Sequence, residues 1–235
     1  MKSRIEVVAE LRGGSTAITS VRSEGRSGGH FAGRQTARGQ IYLVGTAAGP
    51  LGGDEVLVSL RVGAGASLDV RSAAATVVYP GAAQPDSRLL IEAQVDDGGL
   101  LELAMEPTVV CAGAAHEAVT SVTLTGDAQL RLVEQVVLGR AGEGGGDWVG
   151  RTAVLRDSSP VLRHTLRSAL LPERSVVTLV DTALEVRPAT TGHSVAMPLA
   201  AGGVLVTGVG GSATGVLAEV EGALALARAP VVGAV

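Results

Sequence analysis

Apolar residues in this chain recur at every second position, and that period decides what it can fold into. In residues 4–12, Ile5, Val7, Ala9 and Leu11 alternate with Arg4, Glu6, Glu10 and Arg12, the pattern of an extended strand with one wet face. Val56, Val58, Leu60 and Val62 alternate with Glu55, Ser59 and Arg61, and Gly63-Ala64-Gly65 then leads into Leu68 and Val70. Leu89, Ile91, Ala93 and Val95 lead through Asp96-Asp97-Gly98-Gly99 into Leu101, Leu103 and Met105. Turn residues between two alternating runs predict a hairpin in each case. Further strands are predicted at residues 17–23, 40–46, 118–124, 129–138, 148–156 and 176–180, with turn signals such as Thr125-Gly126-Asp127 between them. So many short strands predict a mainly β fold of stacked antiparallel or mixed sheets, two-layered and either sandwich-like or β-helix-like.

Two segments depart from that period. Residues 212–228 predict the clearest helix, with Ser212 or Thr214 as N-cap and an apolar stripe of Val216, Val220, Ala223, Leu224 and Ala227. Its polar face holds only Glu219, Glu221 and Arg228, so the helix is expected to pack against sheet over most of its circumference, or against a partner. Residues 161–171 fit a strand through Leu162, Leu166 and Leu170, or a helix through the same residues plus Thr165 and Ala169, and pattern leaves both open. Residues 25–39, Gly-rich with three arginines, and residues 139–147 read as loops. No low-complexity linker divides the chain, and residues 1–235 are expected to form one domain with the helix near its end.

Composition narrows function. Only 2% of residues are aromatic, against 46% hydrophobic and 33 glycines, so the core is expected to be Val, Leu, Ile and Ala. Base-stacking nucleic-acid binders, quaternary-ammonium cages and sugar-stacking sites need rings that this chain lacks. A net charge of −4 gives no basic field for nucleic acid. Cys111 is the single cysteine, which fits a reducing, cytoplasmic setting and a buried small hydrophobe. Glu6 and Glu10 interrupt the first dozen residues, against a signal peptide. Residues 194–218 are uncharged, but Pro198 and six glycines without aromatic anchors argue against a membrane span. The apolar excess is expected to be buried partly against partners.

Several chemical motifs have plainer readings. Gly208-Val209-Gly210-Gly211-Ser212-Ala213 follows an apolar run and opens the helix, as a dinucleotide-binding turn would. A βαβ unit also needs a second parallel strand and an acidic residue about 20 residues on, and only Pro230 to Val235 follow the helix. Glycines for a tight strand-to-helix turn are the plainer account. Gly192-His193-Ser194-Val195-Ala196 echoes a nucleophile elbow, but no histidine follows Ser194. His30, His116, His164 and His193 are scattered, with no preformed zinc spacing. Asp54 and Glu143 stand in glycine-rich loops, where side chains are not expected to serve a core; a turn cap, or for Glu143 a pair with Arg140, would explain them plainly.

Read together, the loops form an ordered series. Gly49-Pro50-Leu51-Gly52-Gly53-Asp54, Val62-Gly63-Ala64-Gly65-Ala66, Ser72-Ala73-Ala74 with Tyr79-Pro80, Met105-Glu106-Pro107-Thr108, and Glu134 with Leu138-Gly139-Arg140 and Gly142-Glu143 resemble the motif series of the urease accessory protein UreD (UreH) family. Where the family has Thr-Gln-Ala-Ala, this chain has Arg71-Ser72-Ala73-Ala74. The resemblance implies a predominantly β, non-enzymatic maturation factor that binds the urease apoprotein and UreF, and through UreF the GTPase UreG, while nickel passes through an internal passage. It implies no tightly bound cofactor, nickel being in transit, and no nucleic acid or membrane partner. Asp54 and Glu143 are the residues expected to line the route. Gly52, Gly53, Tyr79, Glu106, Pro107, Glu134, Gly139 and Arg140 are motif positions with structural roles. Two other classes stay open: a small NAD(P)-binding oxidoreductase using the turn at Gly208 to Ala213, and a structural β assembly protein with no metal role.

Overall fold

A computed structural model describes residues 2–25 and 30–228. Among them are eighteen strands and one α-helix. The chain begins with β1 (Lys2–Arg12), β2 (Ser15–Gly25), β3 (Phe31–Ala37) and β4 (Gln40–Gly45). It continues through β5 (Glu55–Val62), β6 (Ser67–Ser72), β7 (Thr76–Val78), β8 (Asp86–Val95), β9 (Leu100–Ala104) and β10 (Thr108–Val110). Then come β11 (Ala115–Leu124), β12 (Gln129–Leu138), β13 (Asp147–Arg156) and β14 (Ser159–Arg167). The last elements are β15 (Ser175–Asp181), β16 (Ala189–Thr191), β17 (Ser194–Pro198), β18 (Val204–Gly210) and α1 (Ala213–Arg228).

The strands form two layers. One sheet runs β14-β13-β11-β8-β5-β1-β2, the other β16-β17-β18-β15-β12-β9-β6-β4-β3, with β10 also pairing β12 and carrying β7 on its far side. At their centres both are parallel, through β1, β5, β8, β11 and β13 in the first and β4, β6, β9 and β12 in the second. The chain therefore coils, laying one strand in each sheet per turn, as a β-solenoid does. Antiparallel strands close the ends of both sheets.

This topology corrects the two expected hairpins. β5 and β6 lie in opposite sheets, as do β8 and β9, so Gly63-Ala64-Gly65 and Asp96-Asp97-Gly98-Gly99 turn corners between layers. The same corner recurs at residues 125–128. Ala66, Gly99 and Ala128 donate their N–H groups to Gly63, Asp96 and Thr125 at 3.0, 2.8 and 3.1 Å. Each corner has a glycine in the left-handed region, Gly65, Gly98 and Gly126 at φ +66°, +65° and +54°. Successive corners are stitched together, Leu100 N–H to the Ala66 carbonyl and Gln129 N–H to the Gly99 carbonyl, both 2.8 Å. Alternation alone cannot separate this arch from a hairpin, because both give each strand one buried face.

Other expectations resolve locally. Residues 161–171 become the end of β14 and a short 3-10 turn, Ser168–Leu170, because β14 pairs along β13 with Thr152 opposite His164 and Val154 opposite Leu162. The stretch read as a loop from residue 25 contains β3, an edge strand that its glycines and arginines disguise; residues 26–29 lie outside the described residues. Residues 194–218 divide into β17, β18 and the first turns of α1, and no described helix is long and apolar enough to cross a membrane.

α1 is capped as expected, Gly215 donating its N–H to Ser212 Oγ at 3.2 Å. Val216, Val220, Ala223, Leu224 and Ala227 are buried against β15, β17 and β18. The sheet covers only that face, not most of the circumference: Ala218, Gly222, Ala225 and Leu226 are exposed alongside Glu219 and Glu221. The glycines before the helix serve its close approach, since a Cβ at Gly208 would strike Ser194 and Val220. The strand they end, β18, has antiparallel neighbours on both sides, so a parallel βαβ dinucleotide unit has no place there. Pro230 to Val235 lie outside the described residues.

Candidate functional site

The register that turns Val56, Val58 and Leu60 inward also turns Asp54 inward, one residue before β5. Asp54 is 9% exposed, which corrects the expectation that its loop position keeps it out of the core. Its carboxylate accepts the His30 Nε2 proton at 3.0 Å and the Leu51 N–H at 2.9 Å. A carboxylate can only accept, so His30 carries its proton on Nε2, and Nδ1 faces Ser3 Oγ at 3.0 Å. Burial pushes the Asp54 pKa up, but hydrogen bonds, those from Leu51 and His30 among them, outweigh it and hold the carboxyl below the ordinary range. The trio has the composition of a hydrolytic triad. Ser3 and His30 are both buried, however, and their groups are spent on one another.

From Asp54 a line of buried polar side chains crosses the inner face of the first sheet. Glu55 pairs with Arg88, so Asp54 stands beside Ser87; Ser87 pairs with His116, and His116 with Trp148. Ser87 Oγ lies 2.9 Å from His116 Nδ1. Burial drives the His116 pKa down to about 4, so the ring is neutral at physiological pH. His116 Nε2 and Trp148 Nε1 are buried without hydrogen-bond partners. The Trp148 ring lies against Gly150, where a Cβ would overlap it and come 3.3 Å from Glu134 Oε2.

Glu134 is the residue the sequence reading undervalued. β12 turns Leu130, Leu132, Val136 and Leu138 into the core, and Glu134 occupies the same face. It lines a cavity of about 30 Å³ between the sheets with Ile91, Leu103 and Thr120, and burial alone raises its pKa to about 7. The signal was legible: a carboxylate in phase with an apolar alternation stands at a core position.

Glu143 has a different setting. Arg140 donates its backbone N–H and Nε–H to Glu143 Oε2 at 3.1 and 2.8 Å, and Ala112 its N–H to Oε1 at 3.2 Å. These bonds, the Arg140 side chain first, draw the Glu143 pKa down to about 2. The Arg140 guanidinium lies 5.7 Å from the Tyr79 ring centre. Beside it Cys111 is buried as expected, and burial, then the Glu143 charge, push its thiol pKa up.

The remaining motif residues bind this end of the molecule together. Gly52 donates to the Tyr79 carbonyl at 3.1 Å and Gly139 to that of Val110 at 2.7 Å, while Glu106 N–H reaches Ser72 Oγ at 2.9 Å and Thr76 N–H the Pro107 carbonyl at 3.0 Å. Gly53 and Gly139 sit at φ +90° and +79°. Gly52 is needed for space, because a Cβ there would overlap the Gln84 carbonyl oxygen. Gly52→Val is expected to destabilise by about 3 kcal/mol or more, roughly a 10 °C drop in Tm; calorimetry showing less than a 2 °C change would refute this packing.

The loops thus place Asp54 and Glu143 at the same end of the solenoid, linked through Tyr79 but not in contact. His30, Phe31, Leu43 and Tyr79 line a surface pocket of about 370 Å³ there. Among the described residues no three His, Cys, Asp or Glu side chains are grouped to hold a metal ion.

Over residues 1–197 the sequence matches the family described as UreD urease accessory protein. The chain belongs to the UreD family. A urease accessory protein UreD of Parafrankia sp. (strain EAN1pec) is 42% identical over 166 residues, covering 68% of this chain and 54% of the relative. That of Frankia alni is 42% identical over 151 residues, 62% and 48% of the two chains. Urease accessory protein UreD 2 of Saccharopolyspora erythraea is 28% identical over 236 residues, 89% and 83%. The chain spans about half the length of the first two relatives. The UreD match takes in every motif loop described above, and ends within β17, before β18 and α1.

Proposed function

We propose that this UreD-family chain is a non-enzymatic urease maturation factor working in the cytoplasm. It binds the urease apoprotein and UreF, reaches the GTPase UreG through UreF, and lets nickel pass through its interior toward the urease active site. Family membership supports the scaffold role. The nickel route rests on one observation: buried polar groups, His30, Asp54, Ser87 and His116, lead from the surface pocket beside Tyr79 toward Glu134. Neutral imidazole and carboxylate oxygen are ligands that nickel accepts. Spread singly, they hold an ion more weakly than a closed site would, which suits cargo in transit. Glu143, held by Arg140 over the Tyr79 ring, belongs to the mouth of this route.

Co-expression with the urease subunits, UreF and UreG, followed by pull-down and metal analysis of urease, tests both parts. The native chain is expected to co-purify with them. Asp54→Asn and Glu134→Gln should leave assembly intact and lower nickel per urease site by roughly an order of magnitude. Full nickel loading with both variants overturns the route; failure of the native chain to associate overturns the scaffold.

A further inference from the structure

On the outer face of the second sheet α1 packs over β15 to β18 and reaches the edge of β12, where Val133 is buried in the same cluster. Beside the helix, over β4, β6, β9 and β12, a groove of about 450 Å³ remains open, with Leu217 and Glu221 of α1 along it. Tyr42, Ala104 and Val133 contribute to its lining. Ala104 pairs directly with Val133, and their small side chains leave room for close approach.

The charges of this groove are unbalanced. Four carboxylates, of Asp69, Glu102, Glu106 and Glu221, face two guanidinium groups, of Arg71 and Arg131. Both cations are already engaged, Arg71 with Asp69 at 2.6 Å and Arg131 with Asp181 at 3.2 Å. Glu102 approaches Arg71 only to 3.9 Å. Glu106 and Glu221 are exposed and make no ion pair among the described residues.

We propose that this groove is the docking site for an amphipathic helix of a partner protein, carrying lysines or arginines beside an apolar stripe. Such a helix would lie next to α1 and extend the helical layer across the sheet. Its apolar stripe would cover the half-buried Tyr42, Ala104 and Leu217, and its cations would meet Glu102, Glu106 and Glu221. An acidic or anionic partner is excluded by the same carboxylates. The inference does not depend on the nickel route.

Fluorescence anisotropy tests it with a labelled leucine–lysine peptide of about four helical turns. The native chain should bind this peptide and not its leucine–glutamate counterpart. Glu106→Lys/Glu221→Lys should weaken binding about tenfold or more, ~1.4 kcal/mol. Glu24→Lys/Glu92→Lys, which changes net charge equally on the other sheet, should leave it unchanged. Both pairs are exposed and should melt as the native chain does. No binding, equal binding of the acidic peptide, or equal weakening by the two double variants would overturn the proposal.

Discussion

Asp54→Ala is expected to lower Tm by about 10 °C at pH 7. The substitution leaves the His30 Nε2–H and the Leu51 N–H without their acceptor in a buried cell. Leaving a buried donor without its acceptor costs about 1–3 kcal/mol, two are left here, and each kcal/mol moves Tm by about 2–4 °C in a chain of this size. Asp54→Asn keeps an acceptor oxygen and should lose less than half as much. The effect has a pH signature. The folded pKa of Asp54 lies below its ordinary 3.8, so its contribution is fully present above that value and is lost as pH falls through the folded pKa. The native chain should lose its advantage over the alanine variant only in acid. Thermal melts that coincide within about 2 °C at pH 7 would show that the cell bears no structural weight.

Glu134→Gln is expected to act in the opposite direction. The Glu134 pKa is raised from 4.5 to about 7 by burial, so the native chain is most stable, relative to the variant, below pH 4.5. That advantage is lost as pH rises toward 7, because the unfolded chain ionises first. At pH 8 the native protein carries a half-buried charge with no ion pair among the described residues. The glutamine variant should then be the more stable by about 2 kcal/mol, allowing for partial solvent access. Trp148, the single tryptophan, lies beside Glu134 and supplies a second readout. Its fluorescence should titrate near pH 7 in the native chain and stay flat in the variant. Parallel pH–stability curves for the two proteins would contradict the burial of this carboxylate.

The strands were the most legible part of the fold. β12 was predicted residue for residue at 129–138, and β5, β6, β8 and β9 carry the same alternation. Their pairing was not legible, because an arch and a hairpin bury the same alternate residues. β3 is not legible because Gly33 and Arg34 look like loop residues, yet the strand is held at the sheet edge by pairing with β4. In the candidate site, Asp54 is legible through its motif, but its partner His30 lies 24 residues away and His30's partner Ser3 a further 27, and the three meet only in the fold. Glu134 carried a readable signal in its phase with the Leu and Val residues of β12.

By itself the sequence determined a mainly β chain with an aliphatic core, glycine corners, one capped helix near residues 212–228 and the motif series of the UreD family. These are local properties, set by side-chain period, backbone freedom at glycine and capping chemistry. Tertiary structure decided which strands share a sheet, that His30 meets Asp54, that Glu134 lies beside Trp148, that Ala112 bonds Glu143, and that α1 leaves an acidic groove beside it. Each depends on groups distant in the chain being brought within bonding range, and local pattern records which way a residue faces but not what it will face.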